Sequence, residues 1–395
     1  MGKRVYMDHA ATTPTDPRVV ESMLPFFTNT FGNPSSVHGF GQEARKAVDE
    51  SHETVAHVLG CAPQDVVFTS GGTESDNIAI KGAAHALRQS GDHIITSTIE
   101  HHAVLHSCQQ LEQMGFKVTY LAVDKDGLVR LDDLERALTD RTTVVSIMMA
   151  NNEIGTIEPV HDIVRVVKDR AKKVGHPIVV HTDAVQAWML DLDVGKLGVD
   201  MLSLAAHKFF GPKGVGVLYF RKGTPFLAQQ VGGGHERHRR AGTENVPGMV
   251  GAATALRLAA EGRESISSRC RMLRDRLMRG VFERVPGARL NGHPAQRLPH
   301  NAHFSFDGAE GESMVLGLDL QGIACSTGSA CNSASPEPSH VLLGIGLTTE
   351  LAAGSLRFTV GPENTEAEVD YVLDTLTGVI SRLRSLAPQP RPAGR

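Results

Sequence analysis

Apolar residues recur along the first half of the chain in two alternating rhythms. Short dense runs, Val66-Val67-Phe68-Thr69, Ile94-Ile95-Thr96, Val118-Thr119-Tyr120-Leu121 and Val144-Val145-Ser146-Ile147-Met148, have the length and β-branched content of buried strands. Between them lie stretches of helical spacing. Ala44, Val48, Val55, Val58 and Leu59 predict an amphipathic helix that stops at Gly60, and a helix over 160–174 separates the fourth run from Ile178-Val179-Val180. From about Pro34 to Thr182 this alternation predicts an α/β sheet, mostly parallel, with crossover helices. Gly71-Gly72 is followed by Thr73-Glu74-Ser75-Asp76, which has the capping-box form and opens a helix to about Leu87. After about Gly251 the texture changes to a charged helical stretch over 263–285, then shorter apolar runs around Phe304, Ile323 and Phe358.

A length of 395 residues exceeds one ordinary core, so the change of texture is read as a domain boundary near residue 260. The expected division is a large domain over 13–260 and a small one over 261–385, onto which residues 1–12 pack back. Residues 386–395, rich in Pro, have nothing to bury and are expected to be disordered. Forty basic against forty-four acidic side chains give a formal charge of -4, which offers no electrostatic case for nucleic acid or an anionic membrane as partner. No secretory signal and no long apolar segment is evident, so the expected compartment is the cytoplasm. Five scattered cysteines with no Cys-x-x-Cys pair argue against both a disulfide framework and a structural zinc site, and no metal is expected.

The chemistry concentrates at the ends of the predicted strands. Lys208, in Ala206-His207-Lys208-Phe209-Phe210-Gly211-Pro212, lies on a tight turn between the runs 199–204 and 215–220, where a rigid and largely apolar setting makes an amine nucleophilic toward an aldehyde. Asp183 ends another apolar run. Pyridoxal phosphate needs that pair, a lysine for its aldehyde and a carboxylate for its ring nitrogen. The Gly71-Gly72-Thr73 turn offers amides and a hydroxyl for a phosphate, although backbone geometry alone would also explain its glycines. His101 could stack on a pyridine face and exchange protons, and Asn152 could serve either a ring hydroxyl or a substrate carboxylate, or simply a turn. Cys331, within Cys325-Ser326-Thr327-Gly328-Ser329-Ala330-Cys331-Asn332-Ser333-Ala334-Ser335-Pro336, is surrounded by small polar residues and reads as an exposed thiol on a mobile loop. Cys61, Cys108 and Cys270 read as core residues, and Cys325 as structural. Arg357 alternates with apolar neighbours on a predicted strand, so its guanidinium must be paired, with a substrate carboxylate or with an internal Asp or Glu.

Taken in order, Asp8 to Pro14 (DHAATTP), Phe31 to Ser36 (FGNPSS), Phe68 to Asn77 (FTSGGTESDN), Asn151 to Gly155 (NNEIG), His207 to Gly214 (HKFFGPKG), Gly232 to Arg237 (GGGHER), Ala241 to Thr243 (AGT) and Ser326 to Ser335 (STGSACNSAS) give nearly the whole chain a close resemblance to one group. It resembles the cysteine desulfurases of the NifS/IscS group, among the class V aminotransferase-like, fold-type-I pyridoxal phosphate enzymes. The resemblance implies an aspartate aminotransferase-like large domain with a mixed, mostly parallel sheet, plus a smaller α+β domain carrying the Cys331 loop. It implies that Lys208 holds pyridoxal 5'-phosphate, Asp183 pairs with the ring nitrogen, Gln186 contacts the phenolic oxygen and His101 stacks on the ring. Gly72, Thr73 and His207 would bind the phosphate, with Thr243 reaching the phosphate of a second subunit in a homodimer. Asn152 and Arg357 would hold the carboxylate of L-cysteine. Cys331 would take the sulfur as a persulfide and pass it to an acceptor protein, such as an iron-sulfur scaffold or a tRNA-thiolation partner. One departure stands out: Ala205 occupies the place, three residues before the lysine, where the family has a Ser or Thr phosphate ligand. Selenocysteine lyase, an aminotransferase and a non-catalytic sulfur-relay partner of the same fold are the alternatives, and Cys331 disfavours the aminotransferase.

Overall fold

The computed structural model describes residues 4–328 and 338–386. The chain opens with β1 (Val5–Tyr6), α1 (Pro17–Met23), α2 (Pro25–Thr28) and the long α3 (Gly39–Leu59). It then alternates through β2 (Val66–Thr69), α4 (Gly72–Ala86), β3 (His93–Ser97), α5 (His102–Gln113), β4 (Lys117–Leu121), α6 (Leu131–Ala137), β5 (Thr142–Ser146), α7 (Val160–Val174), β6 (Val179–Asp183), α8 (Val194–Leu197), β7 (Met201–Ala205) and β8 (Gly216–Phe220). The remainder comprises α9 (Val246–Arg284), β9 (Ala288–Asn291), β10 (Asn301–Phe306), α10 (Gly311–Asp319), β11 (Ile323–Ala324), α11 (His340–Gly344), α12 (Thr349–Ala353), β12 (Ser355–Thr359) and α13 (Glu366–Leu386).

The main sheet has seven strands in the order β2-β8-β7-β6-β5-β3-β4. Every pairing from β7 to β4 is parallel, while β8 runs antiparallel to both of its neighbours. Strands β2, β3, β5, β6, β7 and β8 are buried along their whole length, which is why their sequences read as continuous apolar runs and not as alternations. One face is covered by α4 and α5, through Ile78, Ala83, Val104 and Leu111, and the other by a larger cluster that includes Ile163, Val167, Trp188 and Leu256. Because β2 and β3 to β7 all point the same way, their carboxyl ends open along one edge, where ligand sites of such sheets form.

A second, antiparallel sheet, β12-β10-β9, packs with α10, α13 and the end of α9. The N-terminal strand joins this region: β1 pairs in parallel with β11, and Asp8 bridges to Thr359. Helix α9 runs unbroken for 39 residues through residue 260. Its first half escapes the periodicity argument because Gly248, Gly251, Ala252, Ala253 and Ala255 are buried for closeness: a Cβ on Gly251 would lie 2.6 Å from the Met23 sulfur. The expected boundary near 260 therefore falls inside a helix, and a division into two domains remains a proposal in which α9 serves both parts.

Two local expectations change. The capping box at Thr73 does not form, since α4 begins at Gly72 with Gly71 as its N-cap, two residues before Thr73 could cap it; Glu74 instead accepts the Ser70 amide at 2.6 Å. Strand β5 ends at Ser146, and the Met148 amide leaves the ladder for the Glu100 carboxylate at 2.9 Å. Gly60 does end α3, with φ 67°. The C-terminal helix extends to Leu386, and residues 387–395 lie outside the described residues.

Candidate active site

A cavity of about 410 Å³ opens where these strand ends meet, lined by Ala10, Ala11, Gly72, Thr73, Asp76, His101, Met148, Asn152, Asp183, Val185, Gln186, Ala205, His207, Lys208, Gly328 and Arg357. Seven of the expected residues in the strand region, Gly72, Thr73, His101, Asn152, Asp183, Gln186 and Lys208, are thus brought together, with His207 and Arg357 beside them. Thr243 is exposed and does not line the cavity of the single chain. Cys331 lies outside the described residues, although Gly328, the last described residue before it, reaches the cavity wall.

Lys208 sits on a single 3-10 turn, Ala206–Lys208, that continues β7. The turn is forced tight by Phe210, at φ 62°, and by Gly211, where a Cβ would meet the Ala206 carbonyl oxygen at 2.8 Å. The N-terminal segment locks it from above. Thr13 bonds the His207 carbonyl through both its amide and its hydroxyl, at 3.0 Å each, and its hydroxyl accepts the Phe210 amide at 2.8 Å. The Lys208 ammonium donates to the carbonyl oxygens of Ala10 at 2.6 Å and Ala11 at 2.8 Å. Gln186 donates to the same Ala10 carbonyl at 3.0 Å.

Asp183, the last residue of β6, accepts the Val185 amide at 2.9 Å and is 5% exposed. Burial raises its carboxyl to about 6, against which the Lys208 charge works. His101 caps α5 by accepting the Ala103 amide on Nδ1 at 3.1 Å, an arrangement that places the ring proton on Nε2. Burial, followed by the charges of Lys208 and of the neighbouring histidines, lowers it to about 4, so the ring is neutral at physiological pH. His207 is lowered to about 4 by burial and by Lys208 and Lys213, and Nδ1 contacts the Thr12 hydroxyl at 3.1 Å.

Arg357, on β12, is 2% exposed and donates to the Asn152 carbonyl at 2.8 Å, to Gly328 at 3.4 Å and to the Asp8 carboxylate at 2.8 Å. Its Nε finds no hydrogen-bond partner among the described residues. The internal-acid reading of Arg357 is met by Asp8, and its Nε is left over as a buried donor. Sequence reasoning gave Asp8 no role, although it lies in the DHAATTP segment, because only its tertiary bridge to Thr359 brings it beside β12.

Among the described residues no group of three or more His, Cys, Asp or Glu side chains could hold a metal ion. The donor set fits pyridoxal phosphate instead. An amine, a buried carboxylate and a neutral imidazole line one cavity, and the first amides of α4 face it at the helix's positive end. Gly72 is needed there, because a Cβ would lie 2.8 Å from Val185 Cγ2 and 3.5 Å from Ala205 Cβ. Ala205 therefore adjoins the same cradle and presents it a methyl group, with no hydroxyl to offer. Burial raises the thiols of Cys61, Cys108, Cys270 and Cys325 to about 12, so none of these four is a thiolate near neutrality.

Comparisons with known proteins give the family of the chain. The family model for aminotransferase class-V matches residues 5–372. The chain is 51% identical over 391 residues to cysteine desulfurase IscS of Clostridium botulinum strain Hall, covering 98% of this chain and 97% of that protein. It is 50% identical over 387 residues to cysteine desulfurase IscS of Methanosarcina thermophila, covering 98% and 94%. Among solved structures, a NifS-like protein superposes with a TM-score of 0.90 at 41% identity, covering 96% of this chain and 100% of that one. SspA in complex with cysteine superposes with a TM-score of 0.79 at 35% identity, covering 91% and 100%. With a model matched over almost its whole length and half its residues shared with such relatives, the chain belongs to the aminotransferase class-V family and, within it, to the cysteine desulfurases of the NifS/IscS group.

Proposed function

We propose that this protein removes the sulfur of L-cysteine with pyridoxal phosphate, releases L-alanine and leaves a persulfide on Cys331. The single observation that carries the reading is the cavity that sets Lys208, Asp183 and His101 around one space with Arg357 at its rim. When bound, the cofactor supplies an electron sink that acidifies the substrate Cα–H and weakens the C–S bond. Lys208 would hold the aldehyde, and its amine would take and return the substrate Cα proton. Asp183 would fix the ring nitrogen, and Thr73, the Gly72 amide and His207 would hold the phosphate. Arg357 and the Asn152 amide hold the substrate carboxylate. His101, neutral with its proton on Nε2, would stack on the ring and move a proton near the substrate sulfur.

The Cys331 thiolate attacks that sulfur: an S–S bond forms, the C–S bond breaks, and its electron pair stays with the carbon skeleton, which gains a proton and leaves as alanine. The persulfide then passes to an acceptor protein serving iron-sulfur cluster assembly or tRNA thiolation. We further infer a homodimer in which Thr243 reaches the neighbouring phosphate, supported by its exposed position away from its own cavity. Light scattering that returns the mass of one chain would count against that assembly.

Incubation with cysteine and a thiol reductant should release alanine and sulfide in equal amounts. Cys331→Ser should keep the visible band of the lysine-bound cofactor yet lower sulfide release by about two orders of magnitude or more, the scale expected when a nucleophile is lost. Sulfide release undiminished in that variant would remove Cys331 from the reaction.

A further inference from the structure

Behind Asp183 the sheet hides a polar chain that the reaction above does not use. His181, two residues earlier on β6, lies between the Ser146 hydroxyl, 2.8 Å from Nδ1, and the Ser203 hydroxyl, 2.9 Å from Nε2. The Ser203 hydroxyl also faces Asp76 on α4 and lowers its carboxyl. Asp76 is 1% exposed, lines the same cavity as Asp183, and has Oδ1 3.5 Å from His181 Nε2. That oxygen finds no hydrogen-bond partner among the described residues, an unusual state for a buried carboxylate, which would ordinarily gather two or more donors.

We propose that Asp76 is a further positioning residue of this site: a carboxyl that carries a proton, so that Asp183 is the one anion presented to the ring nitrogen. The inference rests on the reading of Asp183 as the partner of that nitrogen. Its ground is the company Asp76 keeps. From β6 it faces Asp183 and His181, from β7 Ser203, and from the turn before α5 the buried Glu100, with His101 beyond. Strands β2 and β8 turn Val67 and Leu218 into the apolar cluster around α4, and α5 adds Cys108. Lys208, on the same cavity, lowers the Asp183 carboxyl, whereas the group that lowers Asp76 is the neutral Ser203 hydroxyl. Three carboxyls in one desolvated wall cannot all ionise: the Val185 amide and Lys208 favour the charge on Asp183, whereas Asp76, with Ser203 lowering it and Oδ1 unpartnered among the described residues, keeps its proton, as buried Glu100 does. Burial and then the Asp183 charge accordingly push the Asp76 carboxyl well above its ordinary range. His181 is held neutral by burial, at about 3, so it does not supply the missing charge.

The hydrogen-bond chain suits a protonated end. With Asp76 as an acid, its O–H donates to Ser203, Ser203 to His181 Nε2, and Nδ1–H to Ser146, every link running the same way. The proton so held spares Asp183 a like-charge neighbour and leaves its Oδ atoms to the Val185 amide and the ring N–H.

The test uses the full chain freed of cofactor. The infrared difference between wild type and Asp76→Asn at pH 7.5 should contain one protonated-carboxyl C=O band; its absence overturns the proposal. Pyridoxal phosphate titrated into both proteins from pH 5 to 8 should show the same pH midpoint of affinity to within about 0.3 unit, because one neutral group replaces another, whereas removal of an anionic Asp76 would lower the midpoint by about one unit or more. Asp183→Asn should weaken binding at pH 8 at least about tenfold; unchanged binding there would defeat the ring-nitrogen reading, while the infrared band judges Asp76 independently. Should Asp76→Asn fail to fold, carbon NMR of wild-type protein labelled at aspartate carboxyls decides the same point: a protonated aspartate carboxyl at pH 7.5 supports the assignment, and none refutes it.

Discussion

His101 and His207 are both neutral because the protein removes water from them and sets cations nearby, yet each has its ring orientation fixed by a different neighbour, an amide of α5 for one and the Thr12 hydroxyl for the other. Arg357 shows the opposite economy: a charge that stays buried because three acceptors converge on it. Its pair with Asp8 at 2.8 Å, with the two side chains 3% and 18% exposed, matters to stability because losing the carboxylate leaves a charge that cannot reach water. We expect Asp8→Asn to lower the free energy of unfolding by about 1–3 kcal/mol, a figure reduced from that of a fully dry pair because Asp8 keeps some solvent. Urea unfolding measures it, and a change below about 0.5 kcal/mol would mean that the Asn152 and Gly328 carbonyls suffice for the guanidinium.

At the scale of elements, the segment after β8 is held in a conformation its residues do not choose. Glu236, Arg237 and His238 all have positive φ, at 44°, 56° and 64°. Such residues persist only where surroundings over-determine them. Here the anchor is the buried Glu236 carboxylate, which accepts the Phe68 amide of β2 at 3.1 Å and meets His52 Nε2 of α3 at 3.0 Å. It ties the segment leading to Thr243 to the strand leading to the Gly72 turn. Glu236→Ala should cost about 2–4 kcal/mol, since a charged acceptor is lost and two buried donors are left open. Arg237→Ala, at an exposed position, should stay within about 0.5 kcal/mol of wild type. Thermal unfolding distinguishes them, and equal losses would place the anchor elsewhere.

For the whole molecule, the buried acids set how stability answers to pH. Burial raises Glu100 to about 8 from an ordinary 4.5, while its Oε1 accepts Ser97 and the Met148 amide at 2.7 and 2.9 Å. Between those two values the folded protein holds a proton that the unfolded chain has released, so this group's contribution is fully present below 4.5 and is lost as pH rises toward 8. Glu158, raised to about 8 by burial, acts in the same direction. Glu100→Gln keeps the acceptor and cannot ionise. Its unfolding free energy, from denaturant melts, should therefore decline less between pH 5 and 8 than that of wild type, by up to roughly 1.4 kcal/mol per pH unit. Parallel profiles would show that Glu100 is ionised in the fold. No helix among the described residues is long and apolar enough to cross a membrane.

Much of this was legible along the chain. Continuous apolar runs signalled strands buried on both faces, Gly60 ended its helix where it stands, and Lys208 and Asp183 announced themselves because each follows such a run and the sheet's parallel order carries both to one edge. The capping box misled because local hydrogen-bond signals compete, and the close packing that Gly72 permits settled where α4 begins. The first half of α9 was hidden because its small residues encode proximity, which has no period. What only the tertiary structure decided were the contacts between residues far apart in sequence: Asp8 with Arg357, Glu236 with Phe68 and His52, Asp76 with Ser203 and the cavity of Asp183. The physical reason is that a side chain's local surroundings state its period and polarity, whereas its charge, its unmet hydrogen bonds and its loss of water depend on which distant strands the topology sets beside it.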